Sequence, residues 1–177
     1  MPAVSAPSTI LVGRVGGLFW LRVEGKGTFQ NSLQVKDAFE RMTKAGVRSF
    51  VVDLERCPIM DSTFLGTLTG AAVLLRDFEG TVSVLNANPR NLQLMTSLGL
   101  DYILDVDAGG EKFPTQRRQV TAHLDNCAET TAATRKDQAE HVLEAHQALA
   151  DLSEDNQCRF QDVIDFLEKE LENRSGG

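Results

Sequence analysis

Two adjacent hydroxyl side chains, Ser62 and Thr63, follow an aspartate at the start of an apolar pattern that predicts a helix. Asp61 is a favoured N-cap residue, so both hydroxyls would lie in the first turn, at the positive end of the helix. Phosphorylation there would add about −1.5 to −2 charges, which a helix N-terminus tolerates. From these residues alone two interpretations stay open. Asp61 and Ser62 only cap the helix, or Ser62, with Thr63 as the alternative, accepts a phosphoryl group.

The elements around this helix predict an α/β fold. Residues 50–54 form a short apolar run rich in β-branched side chains, which predicts a buried strand that Pro58 ends. The same reasoning predicts strands at residues 10–12, 18–23, 81–85 and 102–106, a helix capped by Asn31 or Ser32, and a helix that opens at Asn88-Pro89. Strands that alternate with single helices favour a mixed sheet of four to five strands with helices packed on it.

The motif Asp61-Ser62-Thr63-Phe64-Leu65-Gly66, placed after a strand and a short loop, resembles the signature of the STAS family. Residues 82–85 resemble the family's next strand, and residues 98–101 resemble its leucine-glycine-leucine ending. The resemblance covers roughly residues 8–113 and implies a STAS-like sheet. In the family's bacterial anti-sigma-factor antagonists, a partner kinase phosphorylates the serine directly after the aspartate, which corresponds to Ser62.

The resemblance therefore implies an anti-sigma-factor antagonist. Such a protein sequesters an anti-sigma factor/serine-protein kinase while Ser62 is unphosphorylated, and a phosphatase resets it. The partner-binding surface would comprise Thr28, Asp61, Ser62, Thr63 and Phe64. Phe64 stands where the family usually has glycine, and Thr28 stands where it usually has aspartate. The alternative is a constitutive STAS interaction or scaffold module, such as a transporter accessory subunit, in which Ser62 only caps the helix.

The C-terminal third has a different pattern. We predict a STAS domain at residues 1–113, a linker at 114–134 and a helical hairpin at 135–173, with Ser153 capping the second helix. Two short helices have little core of their own. The hairpin should therefore dock on the STAS domain, and a homodimer formed through these helices is the alternative.

Charge and composition exclude several classes of protein. Residues 1–119 carry 13 basic and 12 acidic side chains, a net +1, whereas residues 120–177 carry 5 and 13, a net −8, which together give −7. Nucleic-acid binding needs a clustered basic face, which neither part has. No apolar run reaches the ~18 residues of a membrane span. The first residues lack the pattern of a signal peptide, and the three cysteines are unpaired by spacing, so we expect a cytoplasmic protein with reduced thiols.

Motifs for catalysis and for cofactors are missing. The loop from Gly25 to Thr28 could suggest an enzyme that binds a nucleotide, but the third glycine of a dinucleotide fingerprint is lacking. His123, His141 and His146 have no ligand spacing, and we expect them at the surface or partly packed. We therefore predict no metal, no cofactor and no enzymatic activity.

Overall fold

The computed structural model describes residues 7–129 and 133–176, and within these ranges the chain forms one sheet of six strands with six α-helices. The strands are β1 (Thr9–Val15), β2 (Leu18–Glu24), β3 (Ser49–Arg56), β4 (Thr81–Leu85), β5 (Asp105–Asp107) and β6 (Asp125–Asn126). The helices are α1 (Phe29–Lys44), α2 (Ser62–Arg76), α3 (Pro89–Ser97), α4 (Pro114–Thr121), α5 (Arg135–Ala150) and α6 (Glu154–Ser175), with a 3₁₀ turn at Leu100–Tyr102.

The sheet is mixed, as predicted, with the strand order β5-β4-β3-β2-β1-β6. β1 pairs antiparallel with β2 and β6, while the pairs β2–β3, β3–β4 and β4–β5 are parallel. The sequence did not predict β6, which has two residues and lies in the segment 114–134 that we expected to be a linker. α4 lies in the same segment. The last edge strand begins at Asp105 rather than residue 102, because the 3₁₀ turn occupies residues 100–102.

α1 begins earlier than the sequence analysis predicted. Its N-cap is Thr28, not Asn31 or Ser32. The Thr28 hydroxyl accepts a hydrogen bond from a first-turn amide, and the Asn31 side chain accepts one from the Thr28 amide at 2.9 Å. The asparagine therefore completes a capping box from inside the helix, and the predicted cap was wrong by one turn.

α2 is buried on nearly all sides. Its predicted apolar stripe, which includes Leu65, Leu68 and Leu75, belongs to the main core together with side chains of the sheet. Thr63, Thr67 and other side chains outside that stripe are also buried. A helix that is buried all round needs cover on two faces. The sheet provides one cover, and α5 provides the other.

The C-terminal helices form the predicted hairpin and dock on the α/β core. Ser153 caps α6 by accepting a hydrogen bond from the Asn156 amide at 3.1 Å, which confirms the predicted cap. Leu149 of α5 and Phe160 of α6 belong to the same core cluster as the sheet. The Asn156 side chain donates to the carbonyl oxygens of Leu98 and Leu149, at 2.8 and 2.9 Å, and so joins the hairpin to the end of α3.

Candidate protein-binding site

The carboxylate of Asp61 joins the N-termini of α1 and α2. One oxygen accepts a hydrogen bond from the Phe64 amide at 2.8 Å, which confirms Asp61 as the N-cap of α2. The other accepts from the Phe29 amide, in the first turn of α1, at 2.9 Å. A direct backbone bond from the Asp61 amide to the Gly27 carbonyl, 2.8 Å long, holds the two loops together. Two positive helix ends therefore meet at one point of the surface.

The predicted phosphoacceptor and its alternative differ in accessibility. Ser62 is the first residue of α2 and is partly exposed. Thr63 is only 5% exposed. Thr28, which was predicted to share the partner surface, is partly exposed at the start of α1. Thr28, Asp61 and Ser62 thus lie together where the two helices begin, and Ser62 is the more exposed residue of the pair.

Phe64 does not belong to this surface, contrary to our prediction. Its side chain is 0% exposed and is part of the main core. The ring lies directly beneath Gly27, where an added Cβ would be 3.0 Å from the ring atoms. Gly27 therefore leaves room for the ring of Phe64. Phe64 itself stands at a position where the family usually has glycine.

The hydroxyl of Ser62 is hydrogen-bonded to a histidine of the C-terminal hairpin. Its Oγ lies 3.0 Å from Nε2 of His146. The other ring nitrogen, Nδ1, is 2.7 Å from the carbonyl oxygen of Val142. A carbonyl can only accept, so Nδ1 carries a proton, and in the neutral ring Nε2 is then the acceptor of the Ser62 hydroxyl proton. The imidazole is 5% exposed and contacts Phe160 edge-on, with ring centroids 5.5 Å apart.

A second buried histidine, His141, binds the hydroxyls of the two helices beneath α5. Its Nε2 lies 2.8 Å from Ser32 Oγ on α1 and 3.4 Å from Thr67 Oγ1 on α2. Burial lowers the pKa of His141, and the positive charge of Lys36 lowers it further. The ring is therefore held in the neutral form at neutral pH.

α5 crosses α2 at Gly66, where the two backbones approach closely. A Cβ built on Gly66 would collide with the carbonyl group of Ala145 and lie 2.8 Å from its Cβ. A Cβ on Gly70, one turn later, would meet nothing within 4 Å. An ion pair between Lys36 of α1 and Glu144 of α5, 2.7 Å long, lies at the edge of this contact.

Neither His141 nor His146 was predicted as a site residue, because we expected both at the surface or partly packed. His146 lies on the buried face of α5 together with His141, Ala145 and Leu149. The hydroxyl partners of the two histidines lie on α1 and α2, 74 to 109 residues earlier in the chain. No local spacing connects residues so far apart.

The geometry does not favour the nucleotide-binding alternative. The amide of Gly25 donates to the Arg56 carbonyl at 2.9 Å, and that of Gly27 donates to the Ile59 carbonyl at 3.0 Å. These amides pair with carbonyl groups at the end of β3 and in the loop after it, rather than facing an open phosphate site. Among the described residues, none of the histidines, cysteines and acidic side chains form a group of three that could hold a metal ion. The described helices also include none that is long and apolar enough to cross a membrane.

Residues 13–105 match the family model described as "Mlab, STAS domain". The match spans more than half of the chain and includes β2, β3, α2 and α3. The chain therefore belongs to the STAS domain family. A search of curated protein sequences found no match.

Solved structures of anti-sigma factor antagonists share this fold. The unphosphorylated form of SpoIIAA matches with a TM-score of 0.51 and 18% identity, over 62% of this chain and 97% of that one. A putative antagonist from Thermotoga maritima matches with a TM-score of 0.54 and 15% identity, over 62% and 92%. An antagonist from Mycobacterium paratuberculosis matches with a TM-score of 0.53 and 22% identity, over 67% and 97%. Nearly all of each relative corresponds to about two thirds of this chain, and α4, α5 and α6 lie beyond the segment that the family model matches.

Proposed function

We propose that this protein is a phosphorylation-switched regulator that binds a protein partner through the face around Ser62. The partner proposed is an anti-sigma factor that is also a serine-protein kinase, bound while Ser62 is unphosphorylated, in the cytoplasm of a bacterium. A phosphatase would reverse the modification. The observation that carries the proposal is the placement of Ser62, the more exposed residue of the pair, where the N-termini of α1 and α2 meet.

The same placement explains how phosphate would switch binding without unfolding the domain. Two helix N-termini stabilise a negative charge, so the free protein tolerates the modified side chain. In a packed interface the dianion must be desolvated and would repel a facing carboxylate. A loss of about 3 kcal/mol weakens binding more than a hundredfold. In this proposal the kinase and the phosphatase carry out the chemistry, and the protein itself is their substrate.

The alternative is a constitutive STAS interaction or scaffold module. One observation favours it: the Ser62 hydroxyl already has a structural partner, His146 Nε2, at 3.0 Å. In that case Ser62 would serve to begin α2 and to hold the hairpin, and no kinase would modify it.

Two measurements separate these functions. Protein purified from its native source with phosphatase inhibitors should carry a phosphate on Ser62, located by mass spectrometry of the peptide. Immobilised full-length chains with Ser62→Ala and Ser62→Asp, exposed to the same lysate, should differ. The alanine variant should retain a partner that the aspartate variant releases. Unmodified Ser62 together with equal capture by both variants would refute the switch and favour the scaffold.

A further inference from the structure

The contacts of α5 cover the face that the proposed function assigns to a partner. His146 binds the Ser62 hydroxyl, and Ala145 lies against Gly66 one turn along α2. His141 binds the neighbouring hydroxyls of Ser32 and Thr67. A macromolecule that binds this part of α2 needs the volume that α5 now fills.

We infer that the α5–α6 hairpin is an intramolecular competitor for the partner site, so that hairpin and partner occupy the Ser62 face in turn. The inference rests on the proposed function, because it assumes that this face binds a protein. It adds that the closed chain resists both the partner and the kinase. Opening of the hairpin is then the step that makes Ser62 available.

The contact surface beneath α5 indicates which partner fits. Gly66 has no side chain, so the backbone of an approaching helix can come as close as that of α5 does. Around the crossing, the hydroxyls of Ser32, Ser62 and Thr67 serve as hydrogen-bonding groups. The partner segment should therefore be an α-helix with a small residue at the crossing and a hydrogen-bonding side chain within reach of Ser62, as α5 has in Ala145 and His146.

The two helices of the hairpin pack on each other, so the hairpin can separate from the Ser62 face as one unit. The ring of His146 packs on Phe160, so the helix that contacts Ser62 is supported by α6. The Lys36–Glu144 pair at the edge is solvent-exposed on the glutamate side, and such pairs contribute little to stability. Most of the main core cluster lies in the sheet, α1, α2 and α3, and the hairpin contributes three of its buried residues, Leu149, Phe160 and Ile164.

The test opens the hairpin from its own side and leaves the partner surface unchanged. Ala145→Glu in the full chain places a charged side chain at the buried crossing with α2, where Ala145 is 4% exposed. Ala139→Glu adds the same charge to the same helix at a partly exposed position and is the matched control. Hydrogen exchange followed by mass spectrometry measures opening, as the exchange rate of the α5 amides relative to those of β3.

We expect Ala145→Glu to raise α5 exchange at least tenfold and the control to leave it unchanged. From a lysate of the native source with added ATP, the opened chain should retain at least tenfold more of one protein than the parent or the control does. It should also gain phosphate on Ser62 faster. Adding Ser62→Asp to the opened chain should abolish the extra capture.

The outcomes distinguish the inference from the function on which it rests. Unchanged α5 exchange, or an opened chain that captures and is phosphorylated no better than the parent, overturns the competitor role. Increased capture that Ser62→Asp does not affect supports competition and refutes the phosphate switch. An increase in molar mass on opening, with no protein captured, would make a second copy of this chain the occupant and would also overturn the inference.

Discussion

The hydroxyl of Ser62 and Nε2 of His146 lie 3.0 Å apart, although the two residues are 84 positions apart in the chain. The serine begins the helix that carries the STAS signature, and the histidine belongs to a hairpin beyond the matched family segment. This hydrogen bond connects the candidate switch residue directly to the part of the chain that covers it. Removing this hydrogen bond by mutation therefore tests how strongly the hairpin is held at the site.

Removing the imidazole should loosen the hairpin. His146→Ala loses a hydrogen bond, worth about 1 kcal/mol net, and an aromatic contact with Phe160 of about the same size. We expect a loss of about 2 kcal/mol in docking, or roughly a thirtyfold rise in the exchange rate of α5 amides. His123→Ala, at an exposed position, is the control. Equal exchange in the two variants would mean that His146 does not hold α5 in place.

Gly66→Ala should separate α5 from α2. The new Cβ would collide with the backbone of Ala145, whereas Gly70→Ala on the same helix meets nothing within 4 Å. Both changes raise helix propensity by about 1 kcal/mol, so the control isolates the collision. We expect the α5 amides to exchange faster in Gly66→Ala than in the parent. Gly70→Ala should unfold more slowly than the parent or at the same rate. A well-protected α5 in Gly66→Ala would show that the crossing can shift to accommodate a methyl group.

Hairpin docking should weaken in mild acid. Burial lowers the pKa of His141 below its ordinary value of 6.5, so the docked state binds fewer protons than the open state. The stabilisation is therefore complete above about pH 6.5 and is lost as the pH falls toward the lowered pKa. Near the ring, Lys36 disfavours the charged form, while Glu144 and Asp37 favour it.

We expect α5 exchange, corrected for its intrinsic pH dependence, to rise by up to about tenfold between pH 6.5 and 5.5. His141→Gln should keep hydrogen-bonding capacity while removing this titration. The midpoint of urea unfolding of the full chain, measured at both pH values, gives a check that needs no correction for intrinsic hydrogen exchange. The prediction fails if the parent and His141→Gln respond to pH in the same way.

Phe64→Ala should destabilise the α/β core. The ring is fully buried, and truncation of such a side chain typically costs about 3–5 kcal/mol. The control Phe166→Ala removes a ring that is 65% exposed on α6 and should change the free energy of unfolding by less than about 1 kcal/mol. Urea unfolding monitored by circular dichroism gives both values. A small change in the free energy of unfolding for Phe64→Ala would mean that residues around Gly27 move into the space left by the ring.

Local patterns predicted most of the fold because they are properties of neighbouring residues. The β-branched run before Pro58 and the Asp61 cap gave β3 and the start of α2, and both are where the sequence placed them. The two-residue strand β6 was missed because its pairing with β1 has no local periodicity. The cap of α1 was missed because Thr28 precedes a phenylalanine rather than a typical first-turn residue.

The candidate site was predictable only on the side of the STAS domain. Asp61 and Ser62 follow from capping rules and from the family motif, but the burial of Phe64 depends on the absence of a side chain at Gly27, in another loop. His141 and His146 acquire their roles through tertiary contacts. A sequence pattern records that a helix face is apolar; it does not record which helix will lie against that face.

The bridge that Asp61 forms between α1 and α2 has a consequence for how the open chain would respond to a partner. One carboxylate fixes both helix starts, so in the proposed competition the face that the hairpin uncovers would be preformed, and release of the hairpin would be the main cost of partner binding. Each 1.4 kcal/mol of docking free energy then raises the partner concentration needed for half-occupancy about tenfold. Because the competitor is part of the same chain, this threshold does not depend on how much of the protein a cell makes. Its value is set by the contacts that hold the hairpin on the α/β core, at the α2–α5 crossing and at Asn156.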